Sequence, residues 1–238
     1  FDAEVSQIPG IIKLTLGEPN FNTPEHIKEA AIQAIRDNHS HYTPNAGIPE
    51  LRQATAAYYN KKFNLNYTAE QVITTIGATE AINASFQAIL NPGDTVIVPT
   101  PVFPLYMPIT LVNQGNFITV DTSEDGFVLT PEKLRATIET HPEKTFKAGV
   151  LVYPSNPTGV TYSKEQLEAL SVVLKEYGLW ALCDEVYAEL TYSGTHTSLA
   201  SFLPDQTIVI TGLSKSHAMT GWRIGYILGP VPFIKEVV

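Results

Sequence analysis

A lysine among small residues, with an arginine eight positions on, is the arrangement in this sequence that offers most to chemistry. It lies in Gly212-Leu213-Ser214-Lys215-Ser216-His217-Ala218-Met219-Thr220-Gly221-Trp222-Arg223-Ile224-Gly225. An amine attacks an aldehyde only when partly deprotonated, and desolvation or a neighbouring cation lowers its pKa. Arg223 supplies such a cation, and its planar fork can also grip a phosphate in bidentate fashion. An isolated Ser-Lys pair would be an ordinary surface lysine. The loop around Lys215 makes it a candidate for covalent attachment.

Other residues have chemistry to offer, each with a plainer reading beside it. Leu182-Cys183-Asp184-Glu185-Val186-Tyr187 closes an apolar run, and open parallel sheets put ligands at the carboxyl ends of their strands. A carboxylate there can pair with a cationic group of a ligand; alternatively Asp184 caps a helix and Tyr187 is a rim tyrosine. Gly77-Ala78-Thr79 separates an apolar run from a helix, where backbone N–H groups and the helix dipole meet an anion. Glycine at such a junction is nonetheless common. Asn156-Pro157-Thr158-Gly159 reads alone as a turn, Phe103 as core packing and Tyr42 as a loop residue.

The elements that must position these residues alternate. Short apolar runs at 72–75, 95–98, 117–120, 148–153, 179–183, 208–211 and 226–228 suit strands buried on both faces. Helical patterns fall between them. Thr23-Pro24 reads as N-cap and N1 of a helix whose inward positions are Ile27, Ala30, Ala31, Ala34 and Ile35. A second helix spans Pro49 to about Phe63, with Leu51, Ala54 and Tyr58 inward. Helices are also expected over 79–90 and 131–140, and Ser163-Lys164-Glu165-Gln166 is a capping box for one that Gly178 ends. Asn91-Pro92-Gly93-Asp94 is a turn. The alternation predicts an α/β fold: a mostly parallel sheet with helices on both faces. Residues 231–238 read as the opening of a helix.

Composition narrows the classes. The chain has 238 residues, 44% hydrophobic, enough for a full core, and a formal charge of -9 with scattered basic residues. Such a balance disfavours nucleic acid as a partner. No apolar run approaches the roughly 20 residues of a membrane span. The single Cys183 leaves no internal disulfide and fits a reducing, cytoplasmic location. Phe1 is not a start methionine, and no signal peptide is visible.

The lysine loop resembles the attachment signature of class I and II aminotransferases, the fold-type I enzymes that use pyridoxal 5′-phosphate, and the likeness covers nearly the whole chain. It implies that Lys215 holds the cofactor covalently and moves protons, that Asp184 pairs with the ring nitrogen, and that Tyr187 and Asn156 donate to the phenolic oxygen. It further implies that Gly77, Ala78, Thr79, Ser214 and Arg223 cradle the phosphate and that Phe103 stacks on the ring. Many relatives carry serine where this chain has Gly212, so Ser214 or backbone groups stand in. Gly17, in Leu16-Gly17-Glu18-Pro19-Asn20-Phe21, matches a substrate-carboxylate contact, and Asn156 is likewise implied to bind substrate. Tyr42 matches a tyrosine that crosses a homodimer interface to the partner's phosphate. No role is implied for Glu185 or Glu189, and no metal is expected.

The resemblance is strongest to aromatic amino acid and N-acetyl-diaminopimelate aminotransferases of lactic acid bacteria, through Ile12-Lys13-Leu14-Thr15-Leu16-Gly17-Glu18-Pro19 and Gly-Leu-Ser-Lys-Ser-His. The expectation is a transaminase passing an amino group from an L-amino acid of those types to a 2-oxo acid such as 2-oxoglutarate. A carbon–sulfur β-lyase would share the lysine and aspartate, and a non-catalytic sensor domain would share the fold. Residues 1–238 are expected to form the large cofactor-binding domain. Residues 1–20 belong with a C-terminal small domain expected beyond Val238, which carries the arginine for the substrate carboxylate.

Overall fold

The structure, a computed structural model, describes residues 2–238. Seven strands form one sheet: β1 (Val72–Ile76), β2 (Thr95–Thr100), β3 (Asn116–Asp121), β4 (Phe146–Val152), β5 (Trp180–Asp184), β6 (Thr207–Gly212) and β7 (Ile224–Leu228). Their spatial order is β1-β7-β6-β5-β4-β2-β3. Only β7 runs against the rest, antiparallel to both β1 and β6. All seven runs expected from sequence are strands, and the sheet is mixed but mostly parallel.

The helices are α1 (Asp2–Val5), α2 (Glu25–Arg36), α3 (Pro49–Phe63), α4 (Gly77–Ile89), α5 (Tyr106–Val112), α6 (Pro131–Glu139), α7 (Lys164–Glu176) and α8 (Val231–Val237). On one face Ile82 and Phe86 of α4, Tyr106 of α5 and Phe233 of α8 pack on Val96, Val150, Leu182 and Ile210. On the other, Leu134 of α6 and Leu167, Leu170 and Leu174 of α7 pack on Ile97, Leu151 and Cys183. Odd and even positions of the central strands thus enter different cores, as the pleat requires. Ser163 and Gln166 close the capping box of α7, and Gly178 beyond its end is left-handed at φ +64°. Among the described residues no helix is long and apolar enough to cross a membrane.

Four expectations change. Residues 51, 54 and 58 are not the inward face of α3; Thr55, Ala56, Tyr59 and Phe63 are buried instead. That helix has apolar residues nearly all round, so periodicity does not select a face. None of the residues of α2 is buried, although its apolar stripe is regular. Thr23 does not cap α2, which has Pro24 at its N-cap; the Thr23 hydroxyl donates to Ala218 O in the lysine loop at 2.6 Å. β3 lies at the sheet edge and is buried only at Val120, because it has a neighbour on one side alone. The helices α1 and α5 were not expected.

Candidate active site

Three parallel neighbours, β4, β5 and β6, end at the same edge of the sheet. At or just beyond their ends stand Asn156, Asp184 with Val186 and Tyr187, and Ser214-Lys215. They meet at one cleft of about 270 Å³, which also admits Gly17, Ala78, Thr79, Phe103 and Arg223. Residues scattered over most of the chain are therefore neighbours, as expected of an open α/β sheet.

Lys215 is partly buried. Its ammonium donates to the Gly17 carbonyl and lies 5.8 Å from the centre of the Tyr187 ring. Burial holds its pKa below the usual lysine value, Arg223 lowers it further, and Glu18 pulls the other way. A lysine so placed is closer to a free amine than a surface one. The loop itself is bent: Ala218 and Arg223 are left-handed, at φ +52° and +56°.

Asp184 is buried. Its Oδ2 accepts from the Tyr106 hydroxyl at 2.6 Å and its Oδ1 from the Val186 N–H at 3.1 Å. Burial raises its pKa despite both bonds. Such a carboxyl awaits a cationic partner, which would reverse the balance in favour of the charged form. Tyr187 also titrates high, through burial and then the charge of Asp184, with a hydrogen bond from Asn156 opposing.

An anion cradle faces this group. The first N–H groups of a helix have no intrahelical acceptor, and α4 brings those of Ala78 and Thr79 to the cleft. Gly77 is left-handed at φ +75°, and a Cβ there would lie 2.3 Å from Arg223 Nη2. The guanidinium therefore rests directly on the turn, with Nη1 donating to Thr220 O at 2.7 Å. Gly225 permits this approach: its own Cβ would meet Gly77 C at 2.3 Å and Ala78 N at 2.6 Å. Gly212 is equally confined, since a Cβ would stand 2.7 Å from Ile224 O. A side chain there would have to displace that backbone, and Ser214 lines the cleft instead.

Phe103 is partly exposed at the rim, edge-on to Tyr106 with centroids 6.4 Å apart. Tyr42 stands apart from the cleft and is fully exposed. Sequence reasoning missed Tyr106, which orients Asp184. Its only signal was a tyrosine three positions after Phe103. It also missed Thr220, whose hydroxyl donates to the Glu18 carboxylate and ties the lysine loop to the Gly17 segment.

A half-buried amine with lowered pKa, a buried carboxyl, a donor pair and an anion cradle suit a ring carrying a phosphate, an aldehyde and a basic nitrogen. Pyridoxal phosphate has these groups, and the residues present fit it. Residues 9–238 match the sequence model of the family described as "Aminotransferase class I and II". The chain is 48% identical over 239 residues to a probable N-acetyl-LL-diaminopimelate aminotransferase of Bacillus subtilis, covering all of this chain and 60% of that protein. It is 43% identical over 228 residues to an aspartate/prephenate aminotransferase of Thermus thermophilus, covering 95% and 58%. Among solved structures, a Thermus thermophilus aspartate aminotransferase with maleate superimposes at TM-score 0.89 with 44% identity, covering 94% of this chain and 58% of that one. An aromatic aminotransferase from Pyrococcus horikoshii gives TM-score 0.91 at 34% identity, covering 99% and 63%. The chain spans about 60% of the length of the curated relatives it matches.

Proposed function

Because this chain belongs to the class I and II aminotransferase family, we propose that it is the cofactor-binding part of a transaminase acting on an L-amino acid and a 2-oxo acid. The supporting observation is the convergence of Lys215, Asp184, Tyr187 and Asn156 with the α4 turn at one cleft. Pyridoxal phosphate, when bound, supplies a conjugated ring that spreads the charge left when a substrate Cα–H bond breaks. Asp184 pairs with the ring nitrogen and keeps it protonated. Asn156 and Tyr187 donate to the phenolic oxygen, and Phe103 covers the ring. Ala78, Thr79, Ser214 and Arg223 hold the phosphate, with Gly77 leaving room for the guanidinium. Lys215 would hold the group covalently, and its Nζ, when free, would take a proton from the substrate Cα as base and return it as acid. Its lowered pKa suits both roles.

Gly17 and Asn156 line the same cleft and in this reading receive the substrate carboxylate, while the guanidinium fork that clamps it is assigned to a small domain outside residues 1–238. Without that clamp and the closure it brings, an error of about 1 Å in alignment costs on the order of a hundredfold in rate. The substrate class we infer is aromatic or N-acetyl-diaminopimelate type, with 2-oxoglutarate as an acceptor. The relatives reported above bear aminotransferase names, which favours transamination over carbon–sulfur β-elimination. Cys183, buried and single, fits a cytoplasmic location. The test compares full-length protein and residues 1–238 on N-acetyl-diaminopimelate, aspartate, phenylalanine and tyrosine, each with 2-oxoglutarate. Transamination by the full-length protein and a loss of roughly two orders of magnitude in the shorter chain are expected. Equal rates would mean the clamp lies within residues 1–238, and faster release of pyruvate and ammonia from cystathionine would establish a lyase.

A further inference from the structure

Directly beside Asp184, on the opposite face of the strand, sits an acidic residue that the chemistry above does not use. The side chains of Glu185 and its neighbour His196 are 0% and 2% exposed. Glu185 Oε1 accepts from the Tyr153 hydroxyl at 2.9 Å and from the Ser198 hydroxyl at 2.6 Å. Its Oε2 faces His196 Nε2 at 2.8 Å. His196 Nδ1 is buried with no hydrogen-bond partner, so the ring is held through Nε2 alone. That ring stacks on Tyr153, with centroids 5.4 Å apart and planes at 21°, and meets the edge of Phe63 from α3 at 5.2 Å. Tyr153 in turn accepts from the Leu199 N–H at 3.0 Å.

One carboxylate therefore joins three separate stretches of chain: the end of β4, the end of β5 and the returning segment 196–199. A buried carboxylate persists only when its lone pairs are filled, and packed apolar side chains at such a site are often as stable or more so. A hydrogen-bonded polar network makes sense there where placement matters. Tyr153 is three residues before Asn156, and Glu185 is two before Tyr187. Glu185 N–H also donates to Ile210 O, and its carbonyl accepts from Ala188 N–H in a turn that encloses Tyr187.

We propose that Glu185 is a positioning residue whose buried carboxylate, bound by Tyr153, Ser198 and His196, fixes the spacing of Asn156 and Tyr187. The proposal rests on the cofactor reading for its consequence: those two side chains draw charge from the ring's phenolic oxygen. That charge sets the pH at which the lysine-bound cofactor loses its visible absorption band. Loosened donors leave the oxygen more basic, and it holds the neighbouring proton to higher pH.

The test has one arm with cofactor and one without. Pyridoxal phosphate is added to wild type, Glu185→Gln, Ser198→Ala and Tyr187→Phe, and the visible band is titrated. Glu185→Gln is expected to raise the midpoint by about one pH unit, the equivalent of one net hydrogen bond. Ser198→Ala removes a single donor and shifts it less, in the same direction; it also serves if the glutamine variant does not fold. In the second arm, hydrogen exchange is followed by mass spectrometry on the unloaded proteins. Faster exchange confined to residues 153–160 and 184–199, with α7 unchanged, supports the clamp. A midpoint that moves in Tyr187→Phe but in neither network variant overturns the proposal, as does exchange that rises uniformly. Should the wild type take up no cofactor, the cofactor reading falls, and the exchange arm still decides whether the clamp exists.

Discussion

At the scale of single residues, Asp184 links stability to the site. Its pKa is raised by burial in the unloaded protein, so the folded chain holds this proton more tightly than the unfolded chain does. The folded state is then favoured most below the ordinary aspartate value of about 3.9, and that advantage is lost as pH rises through the higher folded value. Asp184→Asn does not titrate there. Urea unfolding without cofactor, repeated across this acidic window, should show the wild type losing stability relative to the variant as pH rises. A wild type that gains on the variant would mean that Tyr106 and Val186 already stabilise the anion. The residues of the lysine loop were legible in the sequence because their chemistry is carried in one contiguous motif. Tyr106 was not, because its partner is 78 positions away and only the fold brings them together. Glu185 was visible but carried no meaning without Tyr153, Ser198 and His196 around it.

Among elements, the decisive contact is between β7 and the first turn of α4. Gly225 lies so close to Gly77 and Ala78 that an added methyl group strikes backbone atoms at 2.3 and 2.6 Å. Backbone cannot swing aside as a side chain does. Gly225→Ala is expected to cost about 1–3 kcal/mol in unfolding free energy and to weaken pyridoxal phosphate binding, because the phosphate cradle moves. Fluorescence titration with the cofactor and urea unfolding measure the two effects. Unchanged affinity in the folded variant would remove the α4 turn from the phosphate site. The strands were readable because continuous runs such as Ala148 to Val152 in β4 have no alternative to burial on both faces. The face of α3 was not readable, since its apolar residues surround the axis, and the heptad Tyr106–Val112 of α5 shows no capping signal.

Across the whole molecule, the described surface leaves apolar groups in water. Leu14, Tyr192 and Tyr42 are 92%, 92% and 107% exposed, and α2 has an apolar stripe without a buried residue. Periodicity announced that stripe correctly but could not say what covers it. We propose a two-fold homodimer in which Tyr42 reaches the partner's phosphate site. Light scattering of the cofactor-saturated protein should give twice the chain mass, and Tyr42→Phe should weaken cofactor retention without altering the fold. A monomer at high concentration would refute this assembly.

The central claim is that Lys215 carries the cofactor. Borohydride reduction of the protein mixed with pyridoxal phosphate, followed by peptide mapping, tests it most directly. The label should appear on the peptide containing Lys215 and vanish in Lys215→Ala, while the lysines outside the cleft stay unmodified at stoichiometric cofactor. Label fixed on any other lysine, or persisting in Lys215→Ala, would contradict the account.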